Sequence, residues 1–155
     1  LKPDVEIWCG RHQAQIPTTD DRLHVFDLDL ESDLNASLSG REFDLVIHCA
    51  ALTHAVDERQ YWVMNVEATS RLAHAVHQKG CRNFVFISTR CATVDAGAYG
   101  ASKLAAEQEL QKLDWRSLLI IRPAEIYGAN SREGLDQMIA VAHKWRIVPA
   151  LFGKS

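Results

Sequence analysis

An α/β fold built on a parallel sheet is the class this sequence predicts, and three observations carry that prediction. Apolar runs rich in β-branched and aromatic residues alternate with longer stretches of good helix formers, the pattern of strands joined by crossover helices. The runs at Asn83–Ser88 and Ser117–Arg122 are short and almost wholly apolar, as buried strands are. At 155 residues and 47% hydrophobic content, the chain is long enough to enclose one core.

The elements follow in order. Val5–Cys9 reads as a strand, residues 16–21 as a polar loop with a proline, and Leu23–Phe26 as a short strand. Asp33–Leu38 reads as a short helix closed by Gly40. Asp44–Cys49 is a strand, and Asp57–Lys79 a long helix stopped by Gly80. The strand Asn83–Ser88 leads to a helix over Tyr99–Leu113, rich in Ala, Leu and Glu. The strand Ser117–Arg122 and a last helix over Arg132–Trp145 complete the series.

Composition excludes several classes. The net charge is −3 with both signs interspersed, so neither a nucleic-acid footprint nor a polybasic membrane patch is expected. No apolar stretch is long enough to span a bilayer and no signal peptide is visible. The four cysteines have no metal or redox spacing. Cys9, Cys49 and Cys81 lie in or beside apolar strands, where buried reduced thiols are expected, and a reducing cytoplasmic setting fits. The seven histidines show no zinc spacing, so no metal site is expected.

Chemistry concentrates around Tyr99-Gly-Ala-Ser-Lys103. A Tyr and a Lys four apart share a helix face, and an ammonium near a phenol favours its ionised form. A phenol of ordinary pKa about 10 then becomes a proton donor and acceptor usable near neutrality. The preceding strand ends in the hydroxyls of Ser88 and Thr89, at the strand end where open α/β sheets place ligands. The strand at Asp44–Cys49 ends in Ala50 and Ala51, small enough for a flat ring or a pyrophosphate to approach the backbone.

Five segments in this order resemble the NAD-dependent epimerase/dehydratase group of extended short-chain dehydrogenases/reductases. They are Val46-Ile-His-Cys-Ala-Ala51, Asn65-Val-Glu-Ala-Thr69, Phe84-Val-Phe-Ile-Ser-Thr89, Tyr99-x-x-x-Lys103 and Arg122-Pro-Ala-Glu-Ile-Tyr-Gly128. The resemblance implies a Rossmann-like, doubly wound parallel sheet that is incomplete. The family's first strand and its Gly-rich, pyrophosphate-cradling turn have no counterpart, and the first recognisable element is the family's second strand. In the strand order 3-2-1-4-5-6 the missing strand is central, so its neighbours would face a gap. The chain is expected to be the middle of a longer protein, with residues 1–130 a partial NAD(P)-binding domain and 131–155 the start of a substrate-binding region. Without the turn it should bind dinucleotide weakly.

The same resemblance assigns roles. The cofactor is NAD or NADP. Arg11 in Cys9-Gly-Arg-His12 would meet the 2′-phosphate of NADP, or else be a solvated loop residue. Asp27 and Leu28 would flank the adenine, with Asp29 the alternative register. Ala50 and Ala51 would pass beside the cofactor, and Pro123 would also touch it. Asn65 would match the family's Asn-x-x-Gly-Thr motif, with Ala68 replacing the Gly, or simply bond within its helix. Thr89, with Ser88 as the alternative, would hold the substrate oxygen. Tyr99 would exchange the proton, and Lys103 would bind the nicotinamide ribose and lower the Tyr99 pKa. Glu125, in place of a common Asn, and Tyr127 would face a sugar or nucleotide-sugar substrate. Arg90-Cys91 stands where the dehydratases carry Asp-Glu, which argues against dehydration. Cys91 would be a proton carrier, as in an epimerase-reductase subgroup, or a small loop residue. The resulting expectation is an epimerase or reductase, homodimeric when full-length. The alternatives are a non-catalytic dinucleotide-binding or redox-sensing member and an inactive fragment.

Overall fold

The computed structural model describes residues 5–13, 15–16, 20–124 and Lys144. The chain divides into one unit, Leu1–Arg122, and a second, Pro123–Ser155. All the elements described below lie in the first unit. The expected helix over Arg132–Trp145 falls outside the described residues, Lys144 excepted.

Five strands are present: β1 (Ile7–Arg11), β2 (Leu23–Asp27), β3 (Val46–His48), β4 (Asn83–Ile87) and β5 (Ser117–Ile121). Every pairing is parallel. β1 pairs with β2, Cys9 opposite Val25. β3, β4 and β5 form a separate sheet in that order, with Ile47 opposite Val85 and Val85 opposite Leu119. Among the described residues the strands thus fall in two separate sheets, as the expected gap requires. Among the described residues β1 and β3 each have one strand partner, and both line a cavity of about 460 Å³.

The helices end for local reasons. In α1 (Leu34–Ser37) the Asp33 carboxylate accepts from the Asn35 and Ala36 amides at 2.9 and 3.4 Å, satisfying donors that have no partner inside the helix. The long helix is built from α2 (Arg59–Tyr61), a wider π-helical turn (Trp62–Glu67) and α3 (Ala68–Gln78). Gly80 closes it with φ +92. The Gly80 amide then donates to His77 and the Cys81 amide to Val76, both at 3.0 Å, the double bond of a Schellman end. α4 runs Gly97–Leu110, starting and stopping earlier than the sequence predicts. Its end is capped from outside, because the Trp115 indole donates to the Leu110 carbonyl at 2.8 Å.

Alternation along the strands decides which faces are covered. Phe84 and Phe86 of β4 point to the helical side and are buried with Leu72, Ala73, Val76, Ala106 and Leu110. Each buried phenylalanine contributes about 2–3 kcal/mol from its apolar area. The opposite face departs from expectation. Ile47, Leu119 and Ile121 are 59%, 52% and 40% exposed, so β5 is half-buried rather than buried. A parallel sheet needs both faces covered to hide such residues, and the described helices cover one.

Two cysteine expectations need correction. Cys81 is buried, but Cys9 is only half-buried and Cys49 is exposed. Cys49 directly follows the short strand β3 and lines the cavity between the sheets, so apolar neighbours in sequence do not bury it.

Candidate functional site

The carboxyl end of β4 and the first turns of α4 bring the candidate residues together. Ile87, Ser88 and Thr89 leave the sheet in succession, and Tyr99, Ser102, Lys103 and Glu107 lie on α4. Lys103 is only 1% exposed. Its ammonium donates to the Ile87 carbonyl at 2.8 Å and lies 4.0 Å from the centre of the Phe86 ring. Burial pushes its pKa down from 10.5 to about 8, while the nearby Glu107 carboxylate, then Cys49, pull it upward. An amine so placed carries a proton at neutrality and loses it within reach of mildly alkaline solution.

His48 is the second buried titratable group. One ring nitrogen is 2.9 Å from the Thr69 hydroxyl, and the ring stacks on Phe86 at 5.8 Å between centres. Burial, then the Lys103 charge, lowers its pKa from 6.5 to about 4. It stays neutral beside the ammonium.

Ser88 and Thr89 differ in what their hydroxyls are doing. Ser88 is buried, and its hydroxyl donates to Glu107 at 2.5 Å. Thr89 is half-buried and accepts from the Cys91 amide at 3.3 Å, a bond that does not use its own proton. Cys91 is exposed. Tyr99 is half-buried, its ring 6.0 Å from that of Tyr61.

Gly100, beside Tyr99, is fixed by packing. A Cβ there would overlap the Cys91 carbonyl oxygen and lie 2.7 Å from the Ala96 Cβ. The loop from β4 to α4 therefore folds directly onto the turn carrying Tyr99.

Asn65 sits in the π-helical turn and is 1% exposed. It accepts from the Leu52 amide at 2.8 Å and donates to the Leu52 carbonyl and the Ser102 hydroxyl, both at 3.0 Å. Its side chain ties the loop after β3 to α4, a longer reach than a bond within its own helix.

The residues expected around a cofactor fall in two places. Leu28, Asp29, Ala50 and Ala51 line the cavity between the sheets, with Gly10 and His12. Arg11 and Asp27 lie at the ends of β1 and β2, paired with each other at 3.1 Å, the Asp27 side chain 84% exposed. Thr89, Tyr99 and Lys103 are not among the cavity's lining residues, although Leu52, which lines it, is bonded to Asn65 and through it to α4. Pro123 belongs to the second unit, and Glu125 and Tyr127 lie outside the described residues. No group of three His, Cys, Asp or Glu among the described residues is placed to hold a metal ion. No described helix is long and apolar enough to cross a membrane.

Sequence reasoning overlooked Glu107, His48, Ser102 and Gly100. Two carried a readable signal. Glu107 lies four residues after Lys103 on the same helix face. His48 alternates with Val46 toward the covered side of the sheet.

Parallel pairing and helical crossovers define a Rossmann-like α/β domain. The chain belongs to the NAD dependent epimerase/dehydratase family, whose model matches residues 2–154. It is similar to a UDP-glucose 4-epimerase of Vibrio cholerae, 30% identical over 150 residues, an alignment covering 78% of this chain and 45% of that protein. Among solved structures it resembles the Bordetella bronchiseptica enzyme WbmG in complex with NAD, with TM-score 0.74 and 21% identity, covering 91% of this chain and 52% of that one. It also resembles a dTDP-4-dehydrorhamnose reductase from Bacillus anthracis in complex with NADP, with TM-score 0.65 and 23% identity, covering 79% and 51%. The structural likenesses establish the fold. The chain spans about half the length of these relatives.

Proposed function

We propose that this chain carries the proton-exchange part of a site for NAD(P)-linked epimerisation or reduction of a nucleotide sugar. The observation that carries the reading is the grouping of Thr89, Tyr99 and Lys103 at the end of β4 and the start of α4, with the Lys103 ammonium held against the Ile87 carbonyl. Thr89 orients a substrate hydroxyl or carbonyl oxygen, its own proton available for that bond. Tyr99 gives or takes the proton at the same oxygen. Lys103 supplies positive charge beside this machinery and favours the ionised phenol.

The residues lining the cavity fit the adenosine half of a dinucleotide. Gly10, Leu28, Ala50 and Ala51 give the cavity small or apolar walls at the strand ends, where such folds receive nucleotides. Leu28, Ala50 and Ala51 would hold the adenosine half; Lys103, whose buried ammonium is bonded to the Ile87 carbonyl, would take the nicotinamide ribose only by exchanging that bond. The bound cofactor supplies hydride exchange. The Arg11–Asp27 pair is compatible with either NAD or NADP, since a ribose hydroxyl would bond Asp27 and a 2′-phosphate would compete for Arg11. Support for a nucleotide sugar comes from the family and from the epimerase relative. Arg90-Cys91, in place of the Asp-Glu of the dehydratases, favours epimerase or reductase over dehydratase.

The test is to incubate the full-length protein with NAD or NADP and a set of UDP- and dTDP-hexoses. Nicotinamide absorbance is followed and the sugars are separated afterwards. Interconversion or reduction of one nucleotide sugar is expected. Cofactor binding with no hydride exchange on any of them would support the non-catalytic, dinucleotide-binding reading instead.

A further inference from the structure

Glu107 is 3% exposed, an expensive place for a carboxylate. Its oxygens are fully engaged. One accepts from the Ser88 hydroxyl at 2.5 Å and from Arg122 Nε at 2.9 Å, and the other accepts from a terminal Arg122 nitrogen at 2.5 Å. The Ser88 amide meanwhile donates to the Ile121 carbonyl at 2.7 Å, so Ser88 and Arg122 leave adjacent strands side by side. One turn earlier on α4, Lys103 bonds Ile87. Successive turns of α4 are thus stitched to Ile87 and Ser88 at the end of β4, and the second stitch also grips Arg122, just after β5.

A buried ion pair of this kind contributes little net stability, because apolar residues of similar shape do as well or better. What it does supply is geometry. Sliding α4 by one turn would break every one of these bonds and would leave both a carboxylate and an ammonium unpaired.

We propose that Glu107 is a positioning residue for the reactive helix: its clamp on Ser88 and Arg122 fixes the turn carrying Tyr99 and Lys103 against the sheet, and its carboxylate balances the Lys103 ammonium. This rests on the proton-exchange reading of Thr89, Tyr99 and Lys103. It also assigns Ser88 to the clamp, leaving Thr89 as the hydroxyl that meets substrate. The charged and titratable groups around Lys103 are Glu107 and, on the proton-exchange reading, Tyr99 on its own helix, with Arg122 beyond Glu107, His48 on β3 and Cys49 just after it. Of these Glu107 and Cys49 favour the ammonium, whereas His48 is neutral at pH 7.

The test is lysine side-chain NMR on the full chain, with the Lys103 signal assigned by its loss in Lys103→Met. In Glu107→Gln the Lys103 titration midpoint should fall by about one unit while the other lysines titrate as before. In Arg122→Gln the carboxylate is released from its guanidinium partner, and the Lys103 midpoint should rise. These opposite shifts are not the signature of a merely structural residue, which would lower the melting temperature and leave Lys103 unmoved. Unchanged Lys103 titration in folded Glu107→Gln overturns the proposal. If that variant does not fold, the absence of an upward shift in Arg122→Gln overturns it. The readout needs no turnover. Shifted titration in a protein that transfers no hydride would count against the catalytic reading and not against the clamp.

Discussion

Acid should loosen this fold through His48, and the size of the effect follows from its surroundings. The imidazole is 4% exposed, bonded to Thr69 and stacked on Phe86, with the Lys103 ammonium nearby. Burial first, and that ammonium second, lower its pKa from 6.5 to about 4. The unfolded chain therefore binds the proton more readily than the folded one. The stability that goes with the neutral ring is complete above about pH 6.5 and is lost as pH falls through about 4. At about 1.4 kcal/mol per unit the full loss is about 3 kcal/mol, a large share of the 5–15 kcal/mol typical of a domain. Carboxylates titrate in the same range, so the informative quantity is a difference. His48→Phe keeps an aromatic ring on Phe86 and removes the titration. Its lost bond to Thr69 costs stability equally at every pH. Urea unfolding followed by tryptophan fluorescence between pH 4 and 7 should show wild type losing about 3 kcal/mol more than His48→Phe across that range. Parallel pH curves for the two proteins would refute the reasoning.

Two further substitutions probe the reactive helix. Gly100→Ala places a Cβ against the Cys91 carbonyl and the Ala96 side chain, so the loop must shift. A loss of about 1–3 kcal/mol is expected, read by thermal unfolding, with faster alkylation of Cys91 as the loop lifts. Lys103→Met removes a buried ammonium whose pKa is lowered to about 8. Wild type should gain stability from about pH 8 toward 10.5 as the unfolded lysine sheds its preference for the proton, and the variant should lack that rise. Urea unfolding of both proteins between about pH 7 and 10.5 reads the difference.

The strands and the reactive helix were legible because their signals are local. Phe84-Val-Phe-Ile is apolar and β-branched, and Gly80 and Asp33 punctuate helices by conformations and bonds that few residues provide. The gap between the sheets was also legible, since the order of the motifs left a central strand without a counterpart. The clamp was not. Ser88, Glu107 and Arg122 are far apart in sequence, and only the parallel register of β4 and β5 brings Ser88 and Arg122 together. Cys49 was misjudged for a related reason: its exposure depends on what flanks β3 in space and not on its neighbours in the chain. The open face at Ile47, Leu119 and Ile121 lies beyond periodicity too, because an apolar run reads the same whether one face of a strand is covered or both.

The central claim is that Tyr99 exchanges the proton while Thr89 and Lys103 hold the reacting groups. Single-turnover hydride transfer in the full-length protein, followed at the nicotinamide absorbance band, tests it most directly. Tyr99→Phe removes one oxygen and little packing. Loss of a positioned acid/base should slow transfer by about a hundredfold to ten-thousandfold, with cofactor affinity measured by calorimetry close to wild type. Wild-type transfer rates in Tyr99→Phe would contradict the account.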